Sequence, residues 1–219
     1  MKSDELREKS GVTGEYEGVD WSHIRFGGVT EGRPVPGDEP GRACEPKAIC
    51  LDCETTGIDP YEDEILTLSI VDWAGETLYD GRFKPARRTE WPGAERVNGI
   101  SPESVAQCPP ISRDLEEIQG IVDSADEVIG YNIIHFDQRF MEAAGVRFGR
   151  KAIRDTMLEY AELAGDWDDY HEDWRWWRLT EAADAIGYEW TGAAHGSLAD
   201  ALATLAVQKW VERERGLER

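Results

Sequence analysis

The stretch AICLDCETTG, residues 48–57, sets two carboxylates, Asp52 and Glu54, inside an apolar run that reads as a β-strand. Strand side chains alternate between faces. Asp52 and Glu54 therefore share one face with Ala48 and Cys50, while Ile49, Leu51 and Cys53 take the other. A buried carboxylate without a partner is costly and two neighbouring ones repel, so such a strand needs positive charge close by. No Lys or Arg occurs between Lys47 and Arg82. A divalent cation answers the requirement, and the rest of the chain must then supply further ligands.

The pattern around this strand predicts an α/β domain. Strands are expected at 47–54, 64–73 and 77–84, forming a three-stranded antiparallel meander with a turn at Ala74, Gly75 and Glu76. Helical and strand signals then alternate. A short helix follows Ser101 and Pro102, a helix covers 111–123, and a strand covers 127–131. Beyond it a helix at 136–144 is stopped by Gly145, a short strand lies at 151–154, and helices cover 155–164, 179–186 and 197–213. A meander followed by alternating elements gives a mixed sheet covered by helices. Residues 1–45 are polar, rich in Gly and charge, and lack a sustained period, so they are expected to be a partly disordered tail with 46–219 as one domain. Trp21, Ile24 and Phe26 interrupt that tail as a small apolar cluster.

Charge and cysteine content narrow the function. The formal net charge of −21 argues against a broad basic face for nucleic acid and against attraction to anionic membranes, so any polyanion must be captured locally. The two basic clusters, 82–88 and 147–154, are the candidate phosphate contacts, although each is more often a solvated face. The four Cys are too few and too irregular for a disulfide framework, and no long apolar segment or signal peptide is evident; a soluble, reducing, cytoplasmic setting is the expectation. Cys50 and Cys53 form a C-x-x-C, but a zinc ribbon needs a second pair and a redox motif opens a helix, so both read as core cysteines.

Two later segments carry acids in unusual company. In GYNIIHFDQRF, Asp137 stands near a helix start; taken alone it is an acid favoured in the first turn by the helix dipole. In HGSLADALATLAVQKW, His195 and Asp200 flank a helix start, where Ser197 with Asp200 alone reads as a capping box. Four carboxylates in this order, with one His, are the donor set of a two-metal phosphodiesterase site, since Mg²⁺ and Mn²⁺ prefer carboxylate and water oxygens.

With LDCETTG, YNIIHFD and HGSLADA in order, the chain resembles the DnaQ-like, DEDDh family of 3′-to-5′ exonucleases over residues 47–213; the family includes the proofreading subunit of bacterial DNA polymerase III, RNase T and bacterial exonuclease I. The resemblance implies an RNase H-like fold and two Mg²⁺ or Mn²⁺ ions. It implies that Asp52 bridges both ions, with Glu54 and Asp200 on one and Asp137 on the other, and that His195 is the general base. Thr55, Thr56 and Gly57 resemble the turn that holds the 3′-terminal nucleotide, Ile100 an apolar wedge against its base, and Asn132 a further substrate contact. The implied substrate is the 3′ end of a single strand, DNA first and RNA as the alternative of RNase T or oligoribonuclease type. The implied partner class is a DNA polymerase or another replication or repair protein. Departures are Asn98, where many relatives carry His, and the spacing from Asn132 to Asp137, one residue longer than in the proofreading subunit and like that of exonuclease I. The Trp-rich insert 165–178 has no assigned counterpart; its Trp residues are expected to cover the core, because Asp166, Asp168, Asp169, Glu172 and Asp173 repel phosphate. A catalytically silent nuclease fold used as a binding module is the alternative class.

Overall fold

The computed structural model describes residues 47–190 and 196–217. The tail expected at 1–45, with Trp21, Ile24 and Phe26, and the site residue His195 lie outside the described residues. Strands β1 (Ala48–Thr55), β2 (Ile65–Asp72) and β3 (Thr77–Arg82) form the antiparallel meander. Three short helical segments follow: α1 (Pro92–Asn98), α2 (Pro102–Val105) and a 3₁₀ turn at Ile111–Arg113 that leads into α3 (Leu115–Ser124). Strand β4 (Glu127–Gly130) pairs parallel with β1, and after α4 (Asp137–Ala144) strand β5 (Ala152–Asp155) pairs parallel with β4. The five-stranded sheet therefore has the order β3-β2-β1-β4-β5. Then come α5 (Thr156–Ala164), a two-stranded ribbon of β6 (Trp167–Asp168) and β7 (Asp173–Trp174), α6 (Leu179–Ile186) and α7 (Ser197–Glu214). This is the mixed sheet with helical cover of the RNase H-like class.

The alternation in β1 sorts the core. Ile49, Leu51 and Cys53 pack with Ile118, Val122, Phe140 and Met141 of α3 and α4, while Ala48 and Cys50 pack with Ala201 and Leu205 of α7. Small residues let α7 approach closely, and the Cys50 thiol donates to the Ala201 carbonyl at 3.3 Å. Cys50, Cys53 and Cys108 are free, the first two as buried core residues. Central strand β2 is buried along seven of its eight residues, as expected for a strand covered on both faces.

Two elements escape the sequence pattern. Helix α1 begins with Pro92-Gly93, which reads as a turn, yet Pro suits the first helical position and Gly99, in the left-handed region at φ 69°, ends the helix. The β6–β7 ribbon is two residues per strand and is fastened by Trp167 against Trp174, edge to face with centroids 5.0 Å apart. Of the four insert Trp residues, Trp177 covers the core as expected, at 9% exposure, whereas Trp167 and Trp176 are exposed.

Candidate active site

The site lies where β1 ends. Asp52 and Glu54 project from the α7 face of β1, and Asp200 comes from the first turn of α7, four residues past its Gly196 N-cap. One carboxylate oxygen from each of Asp52, Glu54 and Asp200 lies within 4.8 Å of the others, and all three residues are half-buried. The helix is fixed in place by Ser197. Its hydroxyl, buried, meets that of Ser69 on β2 at 2.8 Å, and Ser69 donates onward to Asp80 on β3. No side chain caps α7, so Ser197 and Asp200 do not form a capping box; Ser197 docks the helix and Asp200 enters the acid cluster.

Asp137 stands at the start of α4, buried at 2% exposure, and accepts the backbone N–H of Cys53 at 2.9 Å. It lies outside the triple within 4.8 Å, but it is the largest electrostatic influence on Asp52 after burial itself. Burial, then Asp137, Asp200 and Glu54, push the Asp52 carboxyl well above its ordinary range. Burial and Asp200 push Glu54 up to about 7, against a hydrogen bond from Asn98. Burial pushes Asp137 up to about 7, opposed by the Cys53 thiol and N–H. Asp52, Glu54 and Asp137, held this way beside Asp200, resist ionisation together, and the helix N-termini behind Asp137 and Asp200 offset only part of the charge. All-oxygen donors of this density fit a hard divalent cation, and Asp52, Glu54 and Asp200 are the residues that would hold it.

A groove of about 540 Å³ opens beside Glu54, walled by Thr56, Gly57 and Ile58 on one side and by Gly93, Ala94, Val97 and Asn98 of α1 on the other, with Arg88 at its edge. Thr55 and Thr56 are buried: Thr55 donates to the Gly57 carbonyl at 2.5 Å, and Thr56 to Asp63 at 3.1 Å. At Gly57 a Cβ would meet the Asp63 carboxylate at 2.3 Å, so any larger residue would displace Asp63 from Thr56. Ile100 is placed differently from a wedge. It is 6% exposed, packed with Leu66, Trp91 and Val105, and the exposed apolar side chains lining the groove are Ile58 and Val97. Asn132 sits in the left-handed region at φ 61° after β4, and its amide oxygen is buried without a hydrogen-bond partner.

Two residues had no role in the sequence reasoning. Asp155 accepts from the N–H groups of Asn132 at 3.0 Å, Ile134 at 3.3 Å and Met157 at 3.2 Å, and so fastens the loop that delivers Asp137. An Asp-Thr pair between a strand and a helix was the available signal. Asn98 figured only as a departure; here it donates to the Thr55 carbonyl at 3.1 Å. The basic clusters are largely structural. Arg87 and Arg88 donate to carbonyls of Tyr61, Glu62 and Asp63, Lys151 to those of Asp123 and Ala125, and Arg154 is paired with Glu159 and Glu212.

The RNase T family model, described as Exonuclease, matches residues 49–208. RNA exonuclease 4 of Gibberella zeae is 32% identical over 165 residues, covering 73% of this chain and 47% of that protein. The uncharacterized exonuclease CP81 of Escherichia phage 186 is 27% identical over 175 residues, covering 74% of this chain and 87% of that protein. Among solved structures, E. coli exonuclease I in complex with a dA16 oligonucleotide shares the fold at a TM-score of 0.64 and 19% identity, over 78% of this chain and 42% of that one. The chain thus spans less than half the length of RNA exonuclease 4 and of exonuclease I.

Proposed function

Because the chain belongs to the exonuclease family of RNase T type, we propose that it is a divalent-metal-dependent 3′-to-5′ exonuclease that releases nucleoside 5′-monophosphates from single-stranded ends. The observation that carries the proposal is the convergence of Asp52, Glu54 and Asp200 on one point, with Asp137 bearing on Asp52. When bound, two Mg²⁺ or Mn²⁺ ions supply a polarised water and offset the charge of the phosphodiester. Asp52 with Glu54 and Asp200 would hold one ion, and Asp52 with Asp137 would hold the other. His195 takes the proton of the attacking water, an exchange suited to an imidazole near neutrality. The turn of Thr55, Thr56 and Gly57, with the groove wall of α1, orients the terminal nucleotide; Asn132 contributes from the loop after β4, and Ile100 acts through its packing with Trp91 and Ala94, which line the groove.

DNA is the first substrate reading, in keeping with the fold of exonuclease I, which was solved with a DNA oligonucleotide. RNA is the second, favoured by the likeness to RNA exonuclease 4. A reducing, cytoplasmic setting fits the free cysteines, and among the described residues no helix is long and apolar enough to cross a membrane. A polymerase or other replication or repair protein as partner would raise the local concentration of 3′ ends for a chain of net charge −21. The test is hydrolysis of matched 5′-labelled DNA and RNA single strands with Mg²⁺, Mn²⁺ or EDTA. Shortening from the 3′ end with metal alone is expected; no hydrolysis of either strand with any metal makes the chain a binding module instead.

A further inference from the structure

Strand β1 does not end regularly. Its pairing with β2 runs in register from Ile49 opposite Asp72 to Glu54 opposite Thr67, and then slips so that Thr55 stands opposite Ile65. The extra residue is Leu66 on β2, so the ladder is interrupted directly beside Glu54 and Thr55. The carbonyl of Thr55, at the slip, is taken by a side chain: Asn98 Nδ2 donates to it at 3.1 Å. The other end of the same carboxamide, Oδ1, accepts the N–H of Ile100 at 3.0 Å. With a carbonyl at one end and an N–H at the other, the orientation of the amide is determined. The second hydrogen of Nδ2 is not used by either bond, and the Asn98 side chain favours the ionised form of Glu54 against burial.

We propose that Asn98 is a positioning residue for the metal site, whose carboxamide locks the slip at Glu54 and Thr55 to the end of α1 and so holds the Glu54 carboxylate toward Asp52 and Asp200. The inference rests on the metal-dependent reading above and deepens it. A neutral amide has a specific advantage here. It gives hydrogen bonds to a site crowded by carboxylates, whereas Lys or Arg at the same place would form an ion pair with Glu54 and compete with the cation. Asn98 is also the last residue of α1, whose Gly93, Ala94 and Val97 line the groove, so the groove wall and a metal-holding carboxylate share one anchor.

The test uses the full chain with Asn98→Ala and Asn98→Leu, the second keeping the side chain's size. Mn²⁺ binding is followed by calorimetry, hydrolysis by initial rates, and folding by circular dichroism. Folded variants should bind Mn²⁺ about 10–100-fold more weakly and lose kcat at limiting metal, with KM for the oligonucleotide nearly unchanged. Wild-type Mn²⁺ affinity in a folded variant overturns the assignment, whether or not its Tm has fallen, since Asn98 would then only end α1. A raised KM with intact metal affinity also overturns it, making Asn98 a groove contact. A wild-type chain that binds Mn²⁺ but hydrolyses neither strand removes the exonuclease reading and leaves Asn98 judged by metal affinity; a wild type that binds no metal overturns both.

Discussion

Asp52, Glu54 and Asp137 are each held where they would rather be protonated. Glu54 and Asp137, at about 7, lie well above an unfolded carboxyl near 4, so between those values the folded chain binds more protons than the unfolded one. Their contribution to metal-free stability is therefore most favourable below about pH 4 and is lost as pH rises toward 7. In EDTA, urea denaturation at rising pH should show wild type losing stability relative to Glu54→Gln, and a divalent cation should reverse the loss. A flat difference between the two chains would mean that the carboxyl is not crowded. Asp52→Ala or Asp137→Ala should abolish hydrolysis in a folded protein; more than a few per cent of activity in either would sink the two-metal proposal. His195→Ala should lower kcat by about 10²–10⁴-fold and remove a titration near neutrality while leaving metal affinity intact. Lost metal binding in calorimetry would make His195 a ligand instead. What the sequence disclosed of this site follows from how local each relation is. That Asp52 and Glu54 share a face is a matter of strand alternation. Asn98 reaching Thr55 across 43 residues, and Asp155 reaching Asn132 across 23, depend on loops meeting, which no periodicity encodes.

At the scale of elements the same division holds. The strands and long helices were legible because hydrophobic periodicity and glycine stops are local; α1 was hidden because Pro92-Gly93 is ambiguous between a turn and a helix start, and the β6–β7 ribbon because its strands are too short to show a period. The docking of α7 against α5 and β5 was also invisible, since it depends on charged side chains that pair inside. Arg154 of β5 bridges Glu159 of α5 and Glu212 of α7, the latter 2% exposed, and Gln208, fully buried on α7, meets both Thr156 at 2.7 Å and Glu159 at 3.2 Å. This network holds the far end of the helix whose first turn carries Asp200. Removing one partner of a buried pair leaves the other's desolvation uncompensated, so Arg154→Met should cost about 3–5 kcal/mol in urea denaturation. Activity per folded molecule should change little, because Ser197 and Ser69 fix the near end of α7 independently. A loss below about 1 kcal/mol would place the pair among weak surface bridges.

For the molecule as a whole, the residues that pack and those proposed to react fall within one stretch. The core clusters draw on residues from Ala48 to Leu205, the family match covers 49–208, and every proposed site residue lies between Asp52 and Asp200. None of the proposed site residues falls in the first 45 residues, and the composition of that segment is that of a tail. We therefore propose that the domain proper begins near residue 46, and that a chain starting at Glu45 folds and hydrolyses on its own. Removing a segment of tail-like composition should alter stability by no more than about 0.5 kcal/mol, with kcat and Mn²⁺ affinity retained. The sharpest challenge comes from Trp21, Ile24 and Phe26, which have the character of a docking segment. Thermal denaturation and initial rates of the shortened and full chains, measured together, separate the outcomes. Equal Tm and kcat place the boundary near residue 46. A lower Tm, or insolubility, makes the apolar cluster part of the fold. An unchanged Tm with raised KM would instead assign the first 45 residues to capture of the nucleic acid, giving this acidic chain a substrate contact outside its catalytic domain.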